Sequence, residues 1–147
     1  MAVQYSEDTI HLLQETSSGC KMAIDTIDHI ESHVEDKQLR EIMNKYHESH
    51  VDLQQECMRA LYEAGVENKE PNAFAQTFAT VQSRVKMFMD DDKSMAASIL
   101  TDGCNMGVKT MSENINKYKN ANEDSKMMAE RLRNMEERMA GDLQPML

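Results

Sequence analysis

The chain has 147 residues, a mass of 16.8 kDa and a formal net charge of −10. This length predicts one domain that buries its core without disulfide bonds. The acidic charge argues against unassisted binding to nucleic acids or anionic membranes, because both need a basic surface. Since no apolar run approaches the roughly 18 residues of a membrane span and the first residues lack signal-peptide character, we expect a cytoplasmic protein.

The cysteines and methionines predict a core with reduced thiols and flexible side chains. Cys20, Cys57 and Cys104 are odd in number and lack metal-ligand spacing, which favours buried thiols. The chain also has 14 methionines and no tryptophan. Methionine favours helices and fills irregular gaps, so we expect most of these side chains in a helical core. A methionine surface that binds a soft metal or a partner is the alternative.

The first part of the chain predicts a helical hairpin over residues 6–64. Ser6 precedes two acidic residues, as a capped helix start does, and apolar residues then recur every three or four positions to about Val34. Asp36 is placed to cap a second helix, and Gly65 is placed to end it. Both helices need a partner for their apolar faces.

A connecting helix is predicted over residues 73–89. It follows a polar linker that contains Pro71 and carries apolar residues at helical spacing. These residues are Phe74, Phe78, Val81, Val85 and Phe88. The phenylalanine stripe is expected to dock on the other helices; an exposed Phe or Met stripe would instead make the chain a homo-oligomer. The acidic residues at 90–92 would end this helix and cap the next.

A second hairpin is predicted over residues 93–143, with its turn at 120–124. It repeats residues of the first hairpin at a separation of 88 positions. The recurring residues are Leu12, Gly19, Lys21, Ile27 and Glu35, over Leu100, Gly107, Lys109, Ile115 and Glu123. Two such hairpins predict an all-α, antiparallel four-helix bundle with one additional connecting helix, in a single domain over residues 1–147.

Small residues interrupt the middle of two predicted helices. Gly19 lies in the first helix, and Gly103 and Gly107 lie in the helix that begins near Lys93. Glycine inside a helix costs about 1 kcal/mol relative to alanine, so these positions require a reason. We expect close approach of the two helix backbones; space kept open for a ligand is the alternative.

Two histidines are candidate metal ligands. His47 and His50, in the run HESH, share a helix face at a spacing that lets both imidazoles reach one metal ion. Glu136 is the carboxylate that could complete such a site, with iron or zinc as the metal. His29 and His33 have a similar spacing but lie among acidic residues near a helix end, where a solvated face is expected.

The segments LLQETSSGCKMAIDTI and YHESHVDLQQECMRALYEAG resemble small bacterial ferritin-like proteins of unknown function. The resemblance implies a ferritin-like bundle and extends over nearly the whole chain. Di-iron members of that superfamily hold metal with one Glu on the first helix of each pair and Glu-x-x-His on the second. The comparable residues here are Glu15 with His47 and His50, and Asp102 with Glu136 and Met139.

Neither half of the chain keeps the di-iron pattern. Glu-x-x-His is absent from both, and a thioether is a poor substitute for imidazole on iron. If the hairpin turns near residue 36, His47 lies level with about Asp25, and Glu15 is roughly 15 Å further along the first helix. A turn about four residues earlier would instead bring Glu15 level with His47. We therefore expect a non-catalytic binding or stress-associated structural module without a complete di-iron site. The alternative is a metal-binding or oxidase-type protein with a non-standard site on the His47/His50 face.

Overall fold

The computed structural model describes residues 5–66 and 78–147. Within these ranges the protein is all-α, as predicted. Its elements are α1 (Glu7–Glu31), α2 (Lys37–Glu63), α3 (Ala79–Met87), α4 (Lys93–Lys117), α5 (Glu123–Leu143) and a 3₁₀ turn, Gln144–Met146. None of the helices in this part of the chain is long and apolar enough to cross a membrane.

Side-chain caps fix where the long helices begin. Oxygen atoms of Ser6, Asp36, Asp92 and Asn122 each accept a hydrogen bond from the backbone N–H three residues further on. These bonds satisfy donors that have no partner inside the helix. After α2, Gly65 adopts a φ of 72°, a conformation that glycine reaches without steric cost. The caps predicted at Ser6, Asp36 and Gly65 are confirmed.

Two predicted helix boundaries were wrong. Helix α1 ends at Glu31 rather than near Val34, because Arg40 Nη1 donates to the carbonyl oxygens of Glu31 (2.7 Å) and Val34 (2.8 Å). Helix α3 stops before Phe88, whose extended backbone places its carbonyl 3.2 Å from His29 Nε2. The predicted start of the connecting helix, at residues 73–77, lies outside the described residues.

Helix contacts occur both between neighbours in the chain and between the two halves. The most extensive are those of α1 with α2 and of α4 with α5; α5 also packs on α1 and α2, and α1 packs on α4. Helix α3 contacts α1 and α4. The backbone N–H of Asn120 donates to Asp8 (2.9 Å), so the start of α1 lies beside the α4–α5 turn. At the opposite end, the N–H of Glu35 donates to Asp91 (3.2 Å).

The core is aliphatic and contains sulfur. Its largest fully buried side chains are Leu12, Leu13, Ile27, Ile30, Leu39, Met43, Leu53, Leu61, Ile99, Met111 and Leu132. All three cysteines are free and buried, as expected. The methionines divide between two environments: some fill the core, but Met58, Met87, Met89, Met95 and Met127 are exposed. Of the predicted phenylalanine stripe, Phe78 and Phe88 are buried, and Phe74 lies outside the described residues.

Candidate functional site

A histidine and a glutamate form a buried pair between α2 and α5. His50 Nε2 lies 2.6 Å from Glu136 Oε1, and His50 Nδ1 lies 2.5 Å from the carbonyl oxygen of Tyr46. The His50 side chain is 0% exposed and that of Glu136 is 7% exposed. Ionisable groups are rarely buried so fully unless they are paired, so each residue depends on the other.

The partners of His50 determine where its protons lie. A carbonyl oxygen only accepts hydrogen bonds, so Nδ1 must carry a proton and donate it to Tyr46. When His50 is charged, Nε2 donates to the Glu136 carboxylate as well. Both ring nitrogens are then protonated, and the pair consists of an imidazolium and a carboxylate.

The surroundings of His50 favour this charged form. Burial alone would lower the pKa of His50, but the hydrogen bond to Glu136, the charge of Glu136 and the Tyr46 carbonyl outweigh it and raise the pKa above its usual value. Tyr46 itself is anchored by its hydroxyl, which donates to Asp142 Oδ2 at 2.6 Å. This bond holds α2 against α5 one turn from the pair.

Residues of α4 position the Glu136 side chain. A Cβ added at Gly107 would lie 3.2 Å from Glu136 Cγ and 3.3 Å from Cδ, closer than ordinary packing allows. Cys104 lies near the same carboxylate, which adds to the effect of burial in raising the pKa of its thiol. Gly107 therefore provides the space that Glu136 occupies, and Cys104 borders it.

The small residues were expected to bring α1 and α4 together. The glycines of α4 instead face other groups: Gly107 faces Glu136 of α5, and Gly103 has Val81 of α3 at 3.8 Å. A cavity of about 30 Å³ remains beside Gly19, Gly103 and Glu136. This is room for water-sized molecules rather than for a large ligand.

His47 does not join this cluster. Its Nε2 lies 2.8 Å from Asp28 Oδ1, in a pair whose side chains are 31% and 59% exposed. The contact places His47 level with Asp28, three residues from the predicted Asp25. The alternative register, with Glu15 level with His47, was wrong. The structure thus brings together His50 and Glu136 but directs His47 to the surface between α1 and α2.

The remaining positions of the di-iron comparison are dispersed. Glu15 is buried against α4, where Asn114 Nδ2 donates to its Oε2 at 3.4 Å, and burial raises its pKa despite Asn114 and nearby positive charges. Asp102 pairs with Arg84 of α3 at the surface. Met139 is a buried core side chain that also lines the small cavity.

The thiols are poor metal ligands in this environment. Burial raises the pKa of Cys57 to about 12, and it raises the pKa of Cys20 and Cys104 well above the usual value, with Glu136 adding to both of the latter. Metals bind the thiolate rather than the thiol, so these side chains stay protonated and inert near neutral pH. Within residues 5–66 and 78–147, no group of three His, Cys, Asp or Glu side chains is arranged to hold a metal ion.

Neither a protein-family model nor a curated protein nor a solved structure matches this chain. The site therefore has to be interpreted from its own geometry. The sequence indicated His50 and Glu136 but missed the roles of Cys104 and Gly107. The signal for them was the run GCNMG of α4, in which Cys104 and Gly107 lie three residues apart in mid-helix.

Proposed function

We propose that this chain is a ferritin-like, antiparallel four-helix bundle that works as a binding or stress-associated structural module and lacks a complete di-iron site. Contacts at both ends support the antiparallel arrangement. The start of α1 meets the α4–α5 turn through Asp8 and Asn120, and the α1–α2 turn meets the start of α4 through Glu35 and Asp91. Helices α1 and α4 therefore each begin where the other ends, and they run antiparallel, as neighbouring helices of such a bundle can.

The helices that would supply bridging carboxylates to a di-iron centre carry other residues next to Glu136. On α4 these neighbours are Cys104 and Gly107, and on α1 they are Gly19 and Cys20. A hard cation such as Fe²⁺ prefers carboxylate and imidazole ligands, whereas protonated thiols and glycines offer it none. The buried carboxylate Glu15 is engaged elsewhere, with Asn114.

The observation that carries the proposal is that both nitrogens of His50 are engaged. Nδ1 donates to Tyr46, and Nε2 is bonded to Glu136, the same residue that would share a metal with it. A metal needs a free lone pair on one nitrogen, so it would have to break a buried hydrogen bond before binding. The His50–Glu136 pair fills the interior position that a metal would need and holds α2 to α5 instead.

The test is metal content and metal response of the full chain, purified without chelator and without a histidine tag. We expect substoichiometric iron and zinc by plasma emission, and a melting temperature that neither chelator nor added Fe²⁺ or Zn²⁺ changes. Stoichiometric metal that is lost in His50→Gln and in Glu136→Gln would contradict the proposal. That result would favour the alternative, a metal-binding or oxidase-type site built on His47, His50 and Glu136.

The variant His47→Gln is the matched control. It lies on the same helix but outside the buried pair, so the proposal expects no change in metal content or in melting temperature. If His47→Gln removes bound metal as effectively as His50→Gln, the two histidines act together as ligands, and the chain is a metalloprotein.

A further inference from the structure

A groove opens on the surface between the end of α3 and the start of α4. We call it the methionine groove. The side chains of Met87, Met89 and Met95 form its walls, Phe88 and Ile99 contribute its apolar floor, and its volume is about 300 Å³. This volume matches small binding pockets, which begin at roughly 300 Å³, and suits one or two anchoring side chains of a partner.

Three methionine side chains expose apolar surface at the groove. Met87 is 81% exposed, Met89 is 74% exposed and Met95 is 46% exposed, although the three lie within nine positions of one another. Single exposed methionines are ordinary, but a cluster beside a cavity is a feature of interaction sites. Methionine side chains are flexible and polarisable, so such a surface adapts to different apolar partners.

The charge around the groove is negative. Arg84, a basic residue in its wall, is neutralised by Asp102. Asp90 and Asp92 also line the groove, and neither contacts a lysine or arginine among the residues that the structure describes. Asp92 also caps α4, because its Oδ1 accepts a hydrogen bond from the N–H of Met95. A partner here meets an apolar floor flanked by two carboxylates that form no ion pair with a lysine or arginine of the described residues.

We infer that the methionine groove docks a basic amphipathic helical segment of a partner protein. Apolar residues on one face of that helix would insert between Met87, Met89 and Met95, and flanking Lys or Arg side chains would pair with Asp90 and Asp92. Grooves that bind helices recognise apolar side chains spaced three or four residues apart along the bound helix. Charge complementarity speeds the encounter and selects basic partners over acidic ones.

The same charge argues against a second copy of the chain as the occupant. Each copy carries a formal net charge of −10, and this surface contributes carboxylates of its own. Two copies that met here would bring like charges together, a costly juxtaposition. A basic partner turns that cost into an attraction.

The test uses the full chain and a fluorescent synthetic peptide of leucine and lysine, with leucines spaced three and four residues apart. We expect saturable binding by fluorescence anisotropy that weakens as salt increases, because the rim contacts are exposed charges. Two peptides serve as controls: one of the same composition with strictly alternating leucine and lysine, and one with glutamate in place of lysine. Equally strong binding of either control peptide would overturn the inference.

Variants of the chain locate the binding surface. The double variant Met87→Gln, Met89→Gln should weaken binding by about tenfold or more, because its polar side chains cannot be buried favourably. The matched control is Met58→Gln, Met127→Gln, which changes exposed methionines of α2 and α5 and should leave binding unchanged. The variant Asp90→Asn, Asp92→Asn keeps the helix cap and should flatten the salt dependence.

Three further results would overturn this inference: no binding of the helical peptide, equal losses in the two methionine variants, or self-association that Met87→Gln, Met89→Gln abolishes. The last would make a second copy the occupant. The inference rests on the proposed function as a binding module, but the two fail separately. If the metal-free, folded chain does not bind the peptide, only the docking inference is refuted. Stoichiometric metal at His50 refutes the proposed function whether or not the peptide binds.

Discussion

His47 and His50 lie three residues apart on α2, and each contacts a carboxylate at nearly the same distance. His47 is 2.8 Å from Asp28 at the surface, and His50 is 2.6 Å from Glu136 in the interior. Exposed ion pairs contribute about 0–1 kcal/mol, whereas removing one partner of a buried pair costs about 3–5 kcal/mol. The comparison teaches that burial, rather than spacing or distance, decides which histidine the fold depends on.

The largest expected effect comes from breaking the interior pair on one side. Glu136→Ala leaves His50 buried without its partner and should lower the free energy of unfolding by about 3–5 kcal/mol. Asp28→Ala, the surface counterpart, should change it by less than about 1 kcal/mol. Urea denaturation of both variants measures the difference. Equal losses would mean that the two contacts do not differ as the structure indicates.

Replacing both partners should recover much of the free energy of unfolding that Glu136→Ala loses. In His50→Leu, Glu136→Met no charged group is left buried, and apolar side chains of similar size fill the space. We expect this double variant to be more stable than Glu136→Ala by about 2 kcal/mol or more. Chemical denaturation provides the measurement. A double variant as unstable as the single one would show that packing, rather than an orphaned charge, accounts for the loss.

The pair also predicts a pH dependence. Because the pKa of His50 is raised in the folded state, its stabilising contribution is complete below the unfolded pKa of about 6.5 and is lost as the pH rises through the folded value. The free energy of unfolding should therefore fall as the pH rises above about 6.5, by at most about 1.4 kcal/mol per pH unit. His50→Leu, Glu136→Met should lack this slope, and His47→Ala should retain it. A slope that survives in the double variant would have another origin.

Glycine substitutions sharpen the same comparison. Gly107→Ala places a methyl group against Glu136 and should destabilise the protein by about 1 kcal/mol, after the gain in helix propensity is counted. Gly141→Ala in α5 meets nothing within 4 Å and should instead stabilise by about 0.5–1 kcal/mol. Thermal denaturation distinguishes the signs. A stabilising Gly107→Ala would show that Glu136 does not need the space.

The smallest effect is expected at Glu15. Burial raises its pKa, so its ionisation costs stability as the pH rises above about 4.5. Glu15→Gln keeps an acceptor for Asn114 without the charge, and it should stabilise the protein by about 0.5 kcal/mol at neutral pH. At pH 4 the two proteins should be equally stable. Destabilisation at neutral pH would mean that the carboxylate has a partner that Gln cannot replace.

Local signals predicted much of the helical architecture. Helix caps depend on residues next to one another in the chain, and Ser6, Asp36 and Gly65 act as their residue types indicate. The predicted helix ends were wrong where a residue outside the helix bonds to the backbone at its end. Arg40 satisfies the carbonyls at the end of α1, and the Phe88 carbonyl faces His29 instead of continuing α3. Neither contact can be predicted from the residues next to the helix end.

The candidate site was only partly predictable, for a geometric reason. Residues three apart on a helix differ by about 60° in direction, and this is enough to aim His50 at the core and His47 at the boundary with α1. Spacing alone predicted a shared metal, because it does not include the rotation that packing imposes. Likewise, Gly107 suggested contact between helix backbones, since the sequence does not show that Glu136 occupies the facing position.

The most direct test of the account is nitrogen-15 NMR of the His50 ring in the full chain, assigned with His50→Gln, at slightly acidic pH and with Zn²⁺ added. The account predicts that both ring nitrogens are protonated and that neither resonance moves with the metal. An unprotonated His50 nitrogen whose resonance shifts at stoichiometric Zn²⁺ would contradict it. The interior of the protein would then be a metal site, rather than a core held by its own ion pair.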